Sequence, residues 1–175
     1  DSPAVYVSWN MVAGPDGFIQ RLNQHLLSSG QLQTGVEVRL PTEHEWEYTC
    51  RAGSSTRYYW GNDPKYEEIV DYAWYRGNRQ GEYAHVVGQK NPNSWGLFDM
   101  SGNVYELCLN WYAEYDAEEY VAPSGPESGS QKVRRGGSWI DDPQYCRSAY
   151  RGRCNPAYGY DNYGFRVVMC DVLND

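Results

Sequence analysis

The chain has 175 residues, a formal net charge of −8 and a pI near 4.9. That length fits one domain with a sizeable core, and the acidity argues against nucleic acid, whose phosphates call for a basic face. No run of about 18 apolar residues occurs, so no membrane span is expected, and the start, Asp1 to Trp9, has neither the charged nor the apolar region of a signal peptide. The acid-rich stretch Glu114 to Glu119 reads as a solvated face. Aromatic residues are 17 Tyr and 7 Trp against 3 Phe, so most large side chains carry a polar group that needs a partner or water.

In chain order, Ala4 to Trp9 alternates and predicts a short strand. Asp16 to Leu27 places Phe18, Ile19, Leu22, Leu26 and Leu27 at helical spacing, with Asp16 as its cap and Gly30 just past its end. Val36 to Leu40 predicts a strand that Pro41 stops. Thr42 followed by Glu45 has the form of a capping box opening a helix over Glu43 to Arg51, with Trp46 and Cys50 on one face. From Ala52 to Ser94 the chain is mostly turns with short strand-like pieces at Arg57 to Trp60 and Ala84 to Val87; loops this long are unusual unless they carry function. Val121 to Gln131 reads as a linker or hairpin tip, and the closing strands are Val133 to Trp139 and Gly164 to Cys170. Two helices, few strands and much ordered loop predict an α+β domain over 1–175 built on a small antiparallel sheet.

Between the two closing strands lies a polar segment rich in Tyr, Asp, Asn, Arg and Gly. Tyrosine offers a large contact area with only two side-chain torsions to order, so this composition suits a recognition surface; the alternative is an irregular loop that buries a few tyrosines. The five cysteines, Cys50, Cys108, Cys146, Cys154 and Cys170, include no CxxC pair and are an odd number, compatible with at most two disulfides or with reduced thiols.

Five segments together resemble one family: Val7 to Trp9, Arg39 to Gly53 (RLPTEHEWEYTCRAG), Gly88 to Leu107 (GQKNPNSWGLFDMSGNVYEL), Arg134 to Trp139 (RRGGSW) and Asn162 to Val168 (NYGFRVV). They are similar to the sulfatase-modifying-factor, or formylglycine-generating-enzyme, domain, and the resemblance implies a C-type-lectin-like fold. Active members oxidise a cysteine of a target sulfatase with copper held by two thiolates, soft ligands suited to Cu(I). At the corresponding positions this sequence has Asp141 and Cys146. Asp141 is a hard oxygen ligand, so no copper and no oxidase activity are expected, and Cys146 is then a buried structural thiol.

Trp139 to Val168 resembles more closely the variable region of diversity-generating-retroelement proteins, in which a reverse transcriptase rewrites codons at adenines. Cys146 to Ala149 and Asn155–Pro156 stand as landmarks. The implied variable, ligand-binding residues are Ile140, Asp141, Asp142, Gln144, Tyr145, Tyr150, Gly152, Arg153, Cys154, Tyr158, Tyr160 and Asp161. Apart from Gln144, which is reachable from a lysine codon, each is reachable from an asparagine codon by changing adenines alone. The expectation is an exposed patch with Trp139, Phe165 and Val167 buried at its ends, acting as a non-catalytic binding surface for a protein or cell-surface ligand. The competing reading is an oxidase or a degenerate oxidase that binds a peptide. A sugar-binding lectin is a weaker third, since no EPN or QPD motif is present and fold alone does not imply function.

The resemblance also implies a calcium ion held by the side chains of Asp99 and Glu106 and the carbonyls of Gly102 and Val104, a hard-oxygen set suited to Ca²⁺. The alternative is that Glu106 and Asn103 only pin the loop by hydrogen bonds to backbone. A second family calcium site requires an Asn near Ala73, which is absent.

Overall fold

The computed structural model describes residues 1–115 and 125–172. The stretch Glu114 to Glu119 and the linker Val121 to Gln131 therefore lie partly outside the described residues.

The first helical turn is not where alternation placed a strand. Ala4 to Ser8 pairs in no sheet among the described residues, and Tyr6 stands in the left-handed region at φ 58°. Helix α1, Trp9–Ala13, follows, capped by Ser8, whose hydroxyl accepts from the Met11 N–H at 3.2 Å. The chain here is held by the Tyr6 N–H donating to the Tyr160 carbonyl at 2.9 Å rather than by a ladder. Helix α2 runs Phe18–Ser28, but Gly17, not Asp16, is its N-cap. Asp16 stands at φ 57° and donates its own N–H to Gln20 Oε1 at 2.8 Å, so its carboxylate caps nothing.

Strand β1, Val36–Arg39, leads to helix α3, Glu43–Arg51, opened by the full capping box: Thr42 accepts from the Glu45 N–H while Glu45 accepts from the Thr42 N–H. This satisfies two of the N–H groups a helix start leaves unpaired. A short helix α4, Ile69–Tyr72, was not expected. Neither piece read as strand between 52 and 94 becomes one: Tyr58 and Gly61 form an isolated bridge, and Ala84 to Val87 is irregular.

The remaining strands are β2 (Tyr105–Trp111), β3 (Lys132–Arg135), β4 (Gly152–Cys154), β5 (Tyr163–Gly164) and β6 (Val168–Asp171). The order β4-β3-β2-β5 makes a four-stranded sheet, and β1 pairs with β6 in a two-stranded one. The larger sheet is mixed, because β2 runs parallel to β5 with Tyr105 opposite Tyr163. The expected closing strand Gly164 to Cys170 is thus split between two sheets.

Side chains alternate across the faces of β2, as the pleat demands. Tyr105 and Leu107 pack with Val12, Ile19 and Leu40 on one side, while Cys108 packs with Trp46, Cys50 and Val133 on the other. Trp46 is fully buried at the centre of the second cluster. All five thiols are free.

Candidate functional site

The segment after β3 starts with two left-handed glycines, Gly136 at φ 93° and Gly137 at φ 75°. A side chain at Gly137 would lie 2.8 Å from the Tyr145 carbonyl oxygen and 2.9 Å from Cys146 Sγ, so this turn needs glycine for both conformation and space. Beyond it the chain forms a 3-10 turn, Pro143–Cys146, and then β4.

The segment is held through its backbone by side chains from elsewhere. Arg76 Nε donates to the Ile140 carbonyl at 2.9 Å, Tyr58 Oη to that of Pro143 at 2.9 Å, and Ser101 Oγ to that of Cys146 at 3.0 Å. Arg135, fully buried, donates to the carbonyls of Ser148 at 2.9 Å and Tyr150 at 2.7 Å, and is neutralised by Glu47 and Glu43. Arg151 forks onto both oxygens of Glu43 at 2.6 and 2.7 Å, tying the segment to α3. Backbone acceptors do not depend on the side chain that follows them. The conformation is therefore set largely by groups outside the twelve expected binding positions.

Ten of those twelve reach solvent. Gln144, Arg153, Tyr158 and Tyr160 are exposed, the two tyrosines at 60% and 51%, and Ile140, Asp141, Asp142, Tyr145, Tyr150 and Asp161 are half-buried. Gly152 and Cys154 are buried, which corrects their assignment as contact residues: β4 alternates, turning Arg153 outward and its neighbours inward. Of the expected buried ends, Trp139 is 2% exposed and Phe165 half-buried against Phe18, but Val167 is 42% exposed, since it falls in the break between β5 and β6.

Part of the set forms one aromatic face. The Tyr145 ring lies 5.0 Å from Tyr150, Tyr150 packs on the Tyr105–Tyr163 cluster, and Tyr160 lies 4.9 Å from Tyr163. Arg153 turns instead towards Tyr112 and Glu114, and Asp142 pairs with Arg76 at 3.5 Å. Buried Tyr105 and Tyr163 and half-buried Arg134 lie beneath this face and were not singled out from the sequence. The only signal was the paired arginine on a strand, where neighbours must face opposite sides. A groove of about 580 Å³ lined by Val7, Met11, Phe18 and Phe165 shares no residue with it.

Asp141 and Cys146 do not fit a Cu(I) site. The Asp141 carboxylate accepts from the Ser138 hydroxyl in a short contact, and Cys146 is fully buried. Burial pushes that thiol above its ordinary range, and with Asp141 a hard oxygen donor the pair offers one sulfur where two thiolates are expected to hold Cu(I).

Asp99, Val104 and Glu106 of the expected calcium set line one pocket, and Arg166 lines it with them. Glu106 accepts from Trp46 Nε1 at 2.5 Å and from Arg166 Nε and Nη2 at 2.5 and 2.6 Å. Asp99 Oδ2 accepts from the Gly88 N–H at 2.7 Å, and burial raises its carboxyl above the usual range. Arg166 already balances the Glu106 charge, so the contacts present favour a hydrogen-bonded loop over a calcium ion. Asn103 pins the loop, as the alternative reading had it, exchanging hydrogen bonds with the His85 backbone. No group of three or more His, Cys, Asp or Glu suited to a metal occurs among the described residues, and no helix there is long and apolar enough to cross a membrane.

Curled mixed sheets, few helices and a long ordered loop over a two-glycine turn define a scaffold of the formylglycine-generating-enzyme type. Residues 1–170 match the sulfatase-modifying factor enzyme 1-like domain, and the chain belongs to that family. It is 32% identical to the formylglycine-generating enzyme of Bos taurus and 37% identical to that of Streptomyces coelicolor, each over 95% of this chain. It spans about half the length of those relatives, 50% and 52%. Among solved structures, variable protein 1 of Treponema denticola is 36% identical, with a TM-score of 0.70 over 77% of this chain and 48% of that one. PvdO from Pseudomonas aeruginosa is 30% identical, with a TM-score of 0.74 over 97% of this chain and 62% of that one.

Proposed function

We propose that this domain is a non-catalytic ligand-binding module that displays a diversified surface over 140–161, in the manner of a diversity-generating-retroelement variable protein. The observation that carries the reading is how the segment is held. Carbonyls at Ile140, Pro143, Cys146, Ser148 and Tyr150 accept from Arg76, Tyr58, Ser101 and Arg135. Side chains at the outward positions can then change without releasing the fold, and tyrosines among them supply contact area at low entropic cost. Likeness to variable protein 1 of Treponema denticola supports the same reading.

The second reading, an oxidase, draws on identity to formylglycine-generating enzymes and on the retained Cys146. A direct assay separates the two: the protein is incubated with Cu(I), oxygen, reductant and a CxPxR peptide. The proposal expects no formylglycine above an enzyme-free blank, and production above it overturns the proposal. In the genome, an adjacent reverse transcriptase and a near-copy of the Trp139 to Val168 coding segment are expected.

A further inference from the structure

Strand β3 carries two adjacent arginines with opposite fates. Arg135 turns into the core and is neutralised by Glu43 and Glu47. Arg134 turns to the other side, where its guanidinium carbon lies 3.8 Å from the Tyr105 ring centre and 4.7 Å from that of Tyr163. Stacking satisfies the faces of a guanidinium and leaves its N–H donors, which lie in its plane, unused. Nothing among the described residues uses them: no carboxylate stands within ion-pair distance of Arg134, no acceptor bonds it, and its Nε is covered and unpartnered. Burial raises the phenols of Tyr105 and Tyr163, so neither ionises near neutral pH to balance the charge.

The opposite strand is shaped around this side chain. Gly152 faces Arg134 in the β3–β4 register, and a Cβ there would stand 2.9 Å from Arg134 Cγ and 3.0 Å from Nε. Around the guanidinium lies the tyrosine face: Tyr150 packs on the same cluster, and Tyr160 touches Tyr163.

We propose that Arg134 is a fixed cationic anchor at the floor of the 140–161 face, which takes a carboxylate of the ligand while the surrounding side chains set which ligand is bound. Arginine suits this role because its fork of donors matches the two oxygens of a carboxylate. The proposal rests on the reading of that face as a binding surface.

The test uses the whole protein labelled with 15N-arginine, with Arg134 signals assigned through Arg134→Lys. It is titrated with N-acetylglycine, which carries a terminal carboxylate, and with N-acetylglutamic α-amide, which carries a side-chain carboxylate. Saturable shifts at the Arg134 N–H groups and at the Tyr105 and Tyr163 rings are expected, absent with sodium chloride at matched ionic strength. Arg134→Gln weakens binding by about tenfold or more, as loss of a charged hydrogen-bonding group implies. Response to one probe alone identifies the carboxylate source, and response to both identifies a site that accepts either. Shifts that only follow ionic strength, or equal binding by a folded Arg134→Gln, overturn the proposal. Formylglycine production together with saturable probe binding would remove the functional reading and leave the anchor standing.

Discussion

Arg166 closes on Glu106 with both arms of its guanidinium, Nε and Nη2 reaching the two carboxylate oxygens at 2.5 and 2.6 Å. The pair joins the chain after β5 to the start of β2, and Trp46 adds a third N–H to the same carboxylate. Glu106 is thereby a buried structural anion with its charge already matched.

Removing one member of such a pair strands the other. Glu106→Ala is expected to destabilise the fold by roughly 3–5 kcal/mol, the range for breaking a buried ion pair. Wild-type melting is expected to be the same in EDTA and in calcium, because a ligand raises stability only where it binds the folded state. A calcium-dependent rise in melting temperature that Glu106→Ala abolishes would overturn this assignment.

The thiols give a second check. Burial raises Cys50 to about 12 and Cys154 to about 11, and raises Cys108 and Cys146 as well. In the native protein iodoacetamide is expected to label Cys170, which is partly exposed, and to spare the four buried cysteines. After unfolding all five react, as mass spectrometry of tryptic peptides will show. Fast native labelling of Cys146 would favour an oxidase. The same shifts set a sign for pH. A thiol whose folded value lies above its unfolded one contributes stability that is full below the unfolded value, about 8.5. It is lost as pH rises through the folded value, so denaturant midpoints are expected to fall above about pH 9.

Acid acts through a different pair. Arg39 holds the Glu45 carboxyl down to about 2, chiefly by hydrogen bonding. A depressed carboxyl contributes above its unfolded value and loses that contribution as pH falls, so the loss runs from about pH 5 towards 2. Glu45 is partly exposed, so solvent screening keeps the effect small. Glu45→Gln should lower stability at neutral pH and flatten the acid limb over that range, measured by urea melts; an unchanged slope would contradict the pairing.

Much of this was legible locally. Thr42 and Glu45 are three residues apart, and a capping box needs nothing from the rest of the fold. The apolar spacing of Phe18 to Leu27 likewise marked α2. What escaped depends on distant partners. Alternation at Ala4 to Trp9 could not reveal that Tyr6 would bond Tyr160 and Ser8 cap a helix. In the Asp99 to Glu106 loop, the sequence could not show that Arg166, 60 residues beyond Glu106, would pair with that carboxylate. The tyrosine-rich segment was visible from composition, but the inward turn of Gly152 and Cys154 follows from the pairing of β4 with β3.

Tolerance to substitution should follow the same division. Tyr158→Ser and Tyr160→Ser are each expected to change stability by within about 0.5 kcal/mol. Gly152→Ala and Cys154→Asp, which crowd Arg134 and bury an unpaired charge, are expected to destabilise by more than about 1 kcal/mol. Comparable costs for both groups in urea melts would show that the tyrosines are core.

The central claim is that the 140–161 segment keeps its shape while its outward side chains change. The most direct measurement randomises Ile140, Asp141, Asp142, Gln144, Tyr145, Tyr150, Arg153, Tyr158, Tyr160 and Asp161 together in a displayed library sorted for protease resistance. The account predicts that folded clones carry diverse residues at these positions, keep Arg76, Arg135 and Arg151, and yield binders to unrelated proteins on selection. Survival confined to clones that restore the present residues at most of the ten would contradict it.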